Sequence, residues 1–384
     1  MEIKNRSVKS ILRACLSGVF VCLLCAVSIA ASAFLLKNLF MNNRTPDRAR
    51  ESKVDFALMD CYDMKMNNTI SNTLDGILSI KKTYWLNSRD LVAPEPNQQL
   101  FGTTDDPSTL QWLLDAAEEL LDGQTTYFST ETEIIPNSVV TYYLDDTILA
   151  ITWKEKFDGM CYTLSEVKIA HPSQFRRFLA GGQYGSTIQL TTTEMASSVN
   201  AVVASAADFY AFRWDGTVVY EGKLQRMVGY QLDTCFVDDK GNLILKTANE
   251  LGTKEEVNRI IEENNIQFSI SFGPILIRDG VRCEPENYLL GETADQYSRA
   301  GIGQRGELHY IVTAVNRERL NIVPNIFQFA AGAERFGCDQ FYTMDGGQTA
   351  TIVMNDKLIN AVDYGNQRKI SDIIYFATAI PDGG

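Results

Sequence analysis

The stretch Tyr342-Thr343-Met344-Asp345-Gly346-Gly347-Gln348-Thr349-Ala350-Thr351-Ile352-Val353-Met354 decides how this chain is read. An apolar, β-favouring run ends on one carboxylate, followed by two glycines and small polar residues that lead into a second β-favouring run. Paired glycines let the backbone turn sharply and let a ligand approach the main chain without obstruction by Cβ. A carboxylate fixed at such a turn can hold a proton, a sugar hydroxyl or a cation. Asp-Gly is equally a strong hairpin signal, so these residues alone leave a plain β-turn and a functional turn both open.

Working outward, the C-terminal two thirds of the chain is rich in strand composition. Ser138 to Tyr143, Thr147 to Lys154 and Tyr162 to Ile169 have strand composition, with Asp145-Asp146 and Asp158-Gly159 as turns. Helices are expected from Pro172 through Leu179, over Thr193 to Val199, Lys254 to Asn264 and Ile326 to Arg335, the last closing at Gly337. The clearest helix starts at Asp106-Pro107, where Asp106 caps and Pro107 suits the first helical position. Its stripe of Leu110, Leu113, Leu114, Ala117, Leu120 and Leu121 should end near Gly123. The expectation is an α+β fold: a mixed β-sheet domain with flanking helices over 126–384, preceded by a mainly helical region over 54–125.

Ahead of these lies an uncharged apolar run from Ala14 to Leu36, with Lys4, Arg6, Lys9 and Arg13 before it. Its 23 residues, at about 1.5 Å rise each, match a hydrocarbon core of roughly 30 Å. Ala31-Ser32-Ala33 resembles a signal cleavage site, but the run is longer than a signal core and continues through Phe34-Leu35-Leu36. The reading is a membrane anchor over 14–36, with residues 1–36 as tail and anchor and 37–53 as a polar stalk. Lys37, Arg44, Arg48 and Arg50 balance the basic residues across the run, so charge does not set orientation. An anchor ahead of a large, otherwise water-compatible domain most simply places that domain outside the cell, as a single-pass protein of the cell membrane.

The formal net charge is −13; setting aside the four basic residues and Glu2 before the run leaves −16 on residues 37–384. Such a surface repels a phosphate backbone, and no dense Lys/Arg stripe offsets it, which excludes nucleic acid as a partner. Of eight cysteines, Cys15, Cys22 and Cys25 fall in the apolar run. The remaining five are widely spaced, and His171 and His309 are the two histidines, so no zinc-ligand spacing exists and no metal site is assigned. Cofactor identity is left undefined, and one or two disulfides are compatible with the spacing. His309 sits within the apolar run Leu308 to Val312 and reads as a core histidine; His171, beside Pro172, reads as a helix-entry residue.

Several segments stand in a particular order. Pro172-Ser173-Gln174-Phe175-Arg176 is followed by the Thr191 to Asn200 helix, then Ala206-Ala207-Asp208-Phe209-Tyr210-Ala211-Phe212-Arg213. Next come Phe272-Gly273-Pro274-Ile275-Leu276-Ile277-Arg278-Asp279-Gly280, Arg299-Ala300-Gly301-Ile302-Gly303 and Met344-Asp345-Gly346-Gly347-Gln348-Thr349, with Ile370-Ser371-Asp372-Ile373-Ile374 as a closing strand. Over about residues 165–380 this succession resembles the phosphodiester glycosidase domain family, which includes the lysosomal enzyme that removes N-acetylglucosamine from a phosphodiester and many bacterial proteins labelled as exopolysaccharide biosynthesis proteins. The resemblance implies hydrolysis of a sugar-1-phosphodiester in envelope or exopolysaccharide metabolism, with a sugar phosphodiester or glycan as partner.

On that resemblance, Asp345 is the catalytic carboxylate and Arg299 the catalytic phosphate-binding cation, because a guanidinium fork matches phosphate geometry. Asp208, Arg213, Gly346, Gly347 and Thr349 are implied as substrate-binding residues. Phe272-Gly273-Pro274 reads as structural. The chain also departs from the family. Ala206-Ala207 stands where Asn-Gly is usual, Asn321-Ile322-Val323-Pro324-Asn325 replaces a Ser/Gly/Thr-rich turn, and Gln348-Thr349-Ala350 replaces Gly-Ser-Ser. Losing an Asn side chain removes a donor and an acceptor. The alternative implied is a catalytically degenerate relative that binds glycans or acts as a scaffold at the cell surface.

Overall fold

A computed structural model describes residues 92–130, 134–135, 137–283, 295–317 and 322–380. The expected anchor over 14–36, the stalk over 37–53 and the helical stretch expected over 54–86 lie outside the described residues. Among the described residues no helix is long and apolar enough to cross a membrane.

The fold is α+β and dominated by sheet. In chain order the strands are β1 (Phe101–Thr104), β2 (Val140–Asp145), β3 (Ile148–Phe157), β4 (Met160–Ile169), β5 (Phe175–Leu179) and β6 (Val203–Ala206). There follow β7 (Gly216–Tyr220), β8 (Lys223–Val228), β9 (Thr234–Val237), β10 (Leu243–Lys246), β11 (Phe268–Ser271), β12 (Ile275–Arg278) and β13 (Val281–Arg282). The last are β14 (Arg299–Gly306), β15 (His309–Val315), β16 (Gln340–Met344), β17 (Ile352–Met354), β18 (Lys357–Leu358) and β19 (Asp372–Phe376). Nine strands form one sheet in the order β1-β2-β3-β4-β15-β14-β16-β12-β13, and five form a second in the order β18-β17-β6-β19-β5. Strands β10-β9-β11 and the pair β7-β8 make two small sheets.

The central strands of the large sheet are buried on both faces, so their sequence reads as continuous apolar runs rather than strict alternation. One face, carrying Ala150, Val167, Ile302, Tyr310 and Tyr342, shares a core with Val203, Ile352, Ile374 and Phe376 of the five-stranded sheet. The opposite face, with Trp153, Tyr162, Leu164, Ile311 and Phe341, packs against Leu110 and Leu113 of the helix Pro107–Ala116 and against Phe329 and Ala333 of the helix Ile326–Arg335. Phe341 and Tyr342, adjacent in sequence, thus serve different cores, as the two-residue period of a strand requires. The strand β1 and the helix Pro107–Ala116 lie upstream of residue 126 yet share the sheet and core of the strands that follow.

The capping reading at Asp106 holds: its carboxylate accepts the amides of Ser108 and Thr109 at 3.3 and 3.1 Å. The helix breaks at Ala117 and resumes over Glu118–Leu121, ending at Asp122 in the left-handed region with φ 44°. The helix expected from Pro172 through Leu179 is a single 3-10 turn, Pro172–Gln174, followed by strand β5. Tertiary pairing overrides local preference there. β5 pairs with β19, and Phe175 stacks on Phe376 with ring centroids 4.7 Å apart. Among the described residues Cys161, Cys235, Cys283 and Cys338 stand outside any disulfide.

Candidate functional site

Asp345 lies one residue past the end of β16, where the chain leaves the large sheet. After a 3-10 turn over Gly347–Thr349 the chain enters β17 of the five-stranded sheet. The Asp-Gly-Gly turn is therefore a crossover between sheets and not a hairpin. Its backbone is held from two sides. The Asp345 amide donates to the Ala207 carbonyl at 3.1 Å, and the Gly347 amide donates to the Ser298 carbonyl at 2.7 Å. A Cβ on Gly346 would stand 2.5 Å from that same Ser298 oxygen, so no side chain fits there. Gly347 has φ 62°, a conformation that L side chains rarely adopt. The Thr349 hydroxyl closes the turn by donating to the Gly346 carbonyl at 2.7 Å.

These contacts gather residues distant in sequence. Ala300 is paired with Met344, so Arg299 and Asp345 follow one another across β14 and β16. The Ala207 contact brings Asp208 to the same end. The Asp345 carboxyl is almost completely buried, and its Oδ2 has no hydrogen-bond partner. Burial raises its pKa from 3.8 to about 7, against the lowering effects of the Thr349 hydroxyl and the Arg368 charge, with the Asp208 charge adding to the rise. On the same strand the hydroxyl of Thr343 is also buried without a partner.

Asp208 is fully buried and engaged on both oxygens. One accepts Arg213 Nη2 at 2.8 Å and the Phe209 amide; the other accepts the Ser271 amide at 3.0 Å and Arg177 Nη2 at 3.4 Å. Arg177 reaches on to Asp372 through Nη2 at 2.8 Å and donates to the Ser269 carbonyl. Burial opposes the charge on Arg177, but Asp372 and Asp208 outweigh it and hold the guanidinium above its ordinary pKa. Asp372 is pushed upward by burial despite the pull of Arg177. The result is a buried chain of charges, Asp372–Arg177–Asp208–Arg213.

Arg213 and Arg299 differ in how they are held. Arg213 spends one nitrogen on Asp208 and lies over the Phe272 ring at 5.8 Å, while its Nε and Nη1 are buried without partners. Arg299 donates to the Asp295 carbonyl at 3.0 Å and lies over the Tyr297 ring at 5.6 Å. The cation whose charge bears most on Asp345 is Arg368, which no motif in the sequence signals. It lies over the Phe209 and Phe212 rings at 5.1 and 4.8 Å. Both histidines are structural: His309 bridges Gln124 and Glu166 at 2.9 and 2.7 Å, and His171 accepts the Ser173 amide at 3.2 Å. No group of three or more His, Cys, Asp or Glu able to hold a metal ion occurs among the described residues.

Chemically, the cluster offers a proton-holding carboxyl poised near neutrality, glycine backbone that admits close approach, and guanidinium donors suited to an oxyanion. Ala206 and Ala207 are fully buried and add no polar side chain.

Comparison with known proteins returns no match among curated proteins. Among solved structures, the chain is similar to the zebrafish N-acetylglucosamine-1-phosphodiester alpha-N-acetylglucosaminidase catalytic domain auto-inhibited by its pro-peptide. Identity there is 18%, with 66% of this chain and 87% of that chain covered and a TM-score of 0.46. It is also similar to a hypothetical protein from Synechocystis at 13% identity, covering 62% of this chain and 63% of that one with a TM-score of 0.45. The family model described as phosphodiester glycosidase matches residues 199–377, a span that holds Asp208, Arg213, Arg299, Asp345 and Arg368. Over those residues the chain is similar to the phosphodiester glycosidase family.

Proposed function

We propose that the protein hydrolyses a sugar-1-phosphodiester in envelope or exopolysaccharide metabolism, from a domain held outside the cell membrane by the apolar run over 14–36. The observation that carries the reading is the Asp345 carboxyl: buried, with one oxygen unpartnered, at a glycine turn bordered by arginines. In the reaction the bond between the anomeric carbon and the bridging oxygen breaks, and that oxygen leaves on phosphate with the electron pair. Water supplies the new oxygen at the anomeric carbon, and its proton passes to ionised Asp345. A carboxyl with a pKa of about 7 is ionised in part at neutral pH, which suits it to this transfer. Guanidinium groups offset the charge on the leaving phosphate, so a second carboxylic acid is not required for departure. Arg299 and Arg213 are the cations assigned from sequence, with Gly346, Gly347 and Thr349 bordering the sugar, although the Gly347 amide and the Thr349 hydroxyl already donate to the Ser298 and Gly346 carbonyls.

The test is release of free sugar from a panel of sugar-1-phosphodiesters, with D345N and R299A expected to abolish it while the fold is kept. Full activity in either variant refutes its assigned role. A second reading, a non-catalytic glycan-binding relative, rests on Ala206 and Ala207, which leave the site without the amide side chain usual in the family. Glycan binding without release of sugar from any diester would favour it.

A further inference from the structure

We propose that Arg368, laid across the Phe209–Phe212 aromatic pair, seats the phosphate of the ligand together with the unused donors of Arg213. The inference deepens the phosphodiester reading above and rests on it for the identity of the anion, but not for the existence of the seat.

Three observations converge. Phe209 and Phe212 stack on each other with centroids 5.1 Å apart and a 22° interplanar angle, and the Arg368 guanidinium lies over both rings. Stacking uses the π face of a guanidinium and leaves its N–H edge for an anion. Among the described residues Arg368 makes no hydrogen bond or ion pair, and the carboxyl on which its charge acts is Asp345. Second, Arg213 is 8% exposed, with Nε and Nη1 buried and unpartnered. It is anchored through Asp208, whose neighbour is Phe209. Third, Asp345 Oδ2 is buried and unpartnered, and the charges of Arg368 and Asp208 both act on this carboxyl. The Asp345 amide bonds to Ala207, on the Arg213 side, and Gln348 of the same turn donates to the Asn366 carbonyl at 2.7 Å, two residues before Arg368. The contacts of one turn thus tie the Arg213 segment and the Arg368 segment to the same buried carboxyl. A phosphodiester linked to a sugar provides an oxyanion for the two arginines and a reacting centre for the carboxyl.

The experiment titrates the full-length chain with inorganic phosphate and, separately, with acetate, following binding by calorimetry. Wild type should bind phosphate and bind acetate more weakly. R368A should weaken phosphate binding by about tenfold or more, since a charge-assisted pair of donors is lost. R368K should also weaken it, because an ammonium neither stacks nor forks in the same way. R368Q, which keeps polar bulk without the charge, is the control should R368A not fold, with circular dichroism reporting fold. Undiminished phosphate binding in the folded Arg368 variants overturns the proposal, as does a wild type that binds no phosphate or binds acetate as tightly. Phosphate binding that depends on Arg368 in a protein that releases no sugar sinks the hydrolase reading and leaves the seat standing.

Discussion

Replacing Asp345 by Asn separates the electrostatics of the site from its chemistry. The buried carboxyl has a pKa of about 7 in the folded protein against 3.8 for the unperturbed group. The folded state therefore keeps the proton over a range where the unfolded chain has lost it. Stability from this group is fully present below pH 3.8 and is lost as pH rises through 7. At about 1.4 kcal/mol per pK unit, the loss relative to acid is about 2 kcal/mol at pH 5 and about 4 kcal/mol at pH 8. Asn is close in shape and does not ionise, so D345N escapes this loss. The stability of D345N minus that of wild type should then rise by about 2–3 kcal/mol from pH 5 to pH 8. Taking this difference cancels the pH response of other groups, including Asp372. Urea unfolding followed by tryptophan fluorescence at both pH values measures it. A difference independent of pH would refute the argument that this carboxyl holds a proton in the folded protein. A gain in stability at pH 8 accompanied by loss of activity would be the signature of a site that retains a costly group for its chemistry.

Other consequences can be read from the same geometry. R177M leaves Asp372 as a buried carboxylate without its cation and Asp208 with Arg213 alone, and should cost about 3–5 kcal/mol, measured by denaturant unfolding; a loss below 1 kcal/mol would mean the chain of charges does not hold β5, β6 and β19 together. Gly346→Ala drives a Cβ to 2.5 Å from the Ser298 oxygen, a backbone atom that cannot swing aside. It should destabilise by about 2 kcal/mol, whereas Gly347→Ala, with open space but φ 62°, should cost about 1 kcal/mol; thermal melts of both variants give the ranking. Of the four described thiols, Cys283 is half-buried and the other three are buried. Maleimide under native conditions should label Cys283 first, and mass spectrometry showing Cys161, Cys235 or Cys338 ahead of it would contradict the burial pattern.

Much of the fold was legible because local signals and tertiary packing agree. The Asp106 cap, the Leu110–Leu113 stripe and the turns at Asp145-Asp146 and Asp158-Gly159 each act within a few residues, and the structure follows them. Strand β5 was illegible for the opposite reason. Pro172 begins a turn, as read, but Phe175 to Leu179 extends because β19 waits almost two hundred residues later; the Arg177–Asp372 bond spans 195 positions. No window of sequence around Phe175 contains that partner. The glycine pair was legible as a turn, yet whether it closes a hairpin or crosses between sheets depends on β6 and the Ser298 carbonyl, both remote in sequence.

The site was legible in the same uneven way. Asp345 and its glycines carry a local pattern, whereas Arg368 stands in a polar stretch, Gln367-Arg368-Lys369, that reads as ordinary surface. What singles it out is the ring pair beneath it, about 160 residues upstream, and no spacing rule links the two. Asp208 shows the converse. Its place in the sequence pointed to the ligand, but its oxygens are taken up by Arg213, Arg177 and two amides, so its work is to hold Arg213 in position. That bears on the Ala206-Ala207 departure. Ala207 still supplies the carbonyl that receives the Asp345 amide, so the backbone role of that position survives without an amide side chain. The polar groups left to meet a ligand are then cationic for the most part, Arg213 and Arg368 beside one carboxyl. A site of that balance should favour the phosphate half of a sugar phosphodiester over the sugar. Affinity should accordingly change more when the phosphate is removed from a ligand than when the sugar is exchanged, and a ligand series in which the sugar dominates would count against it.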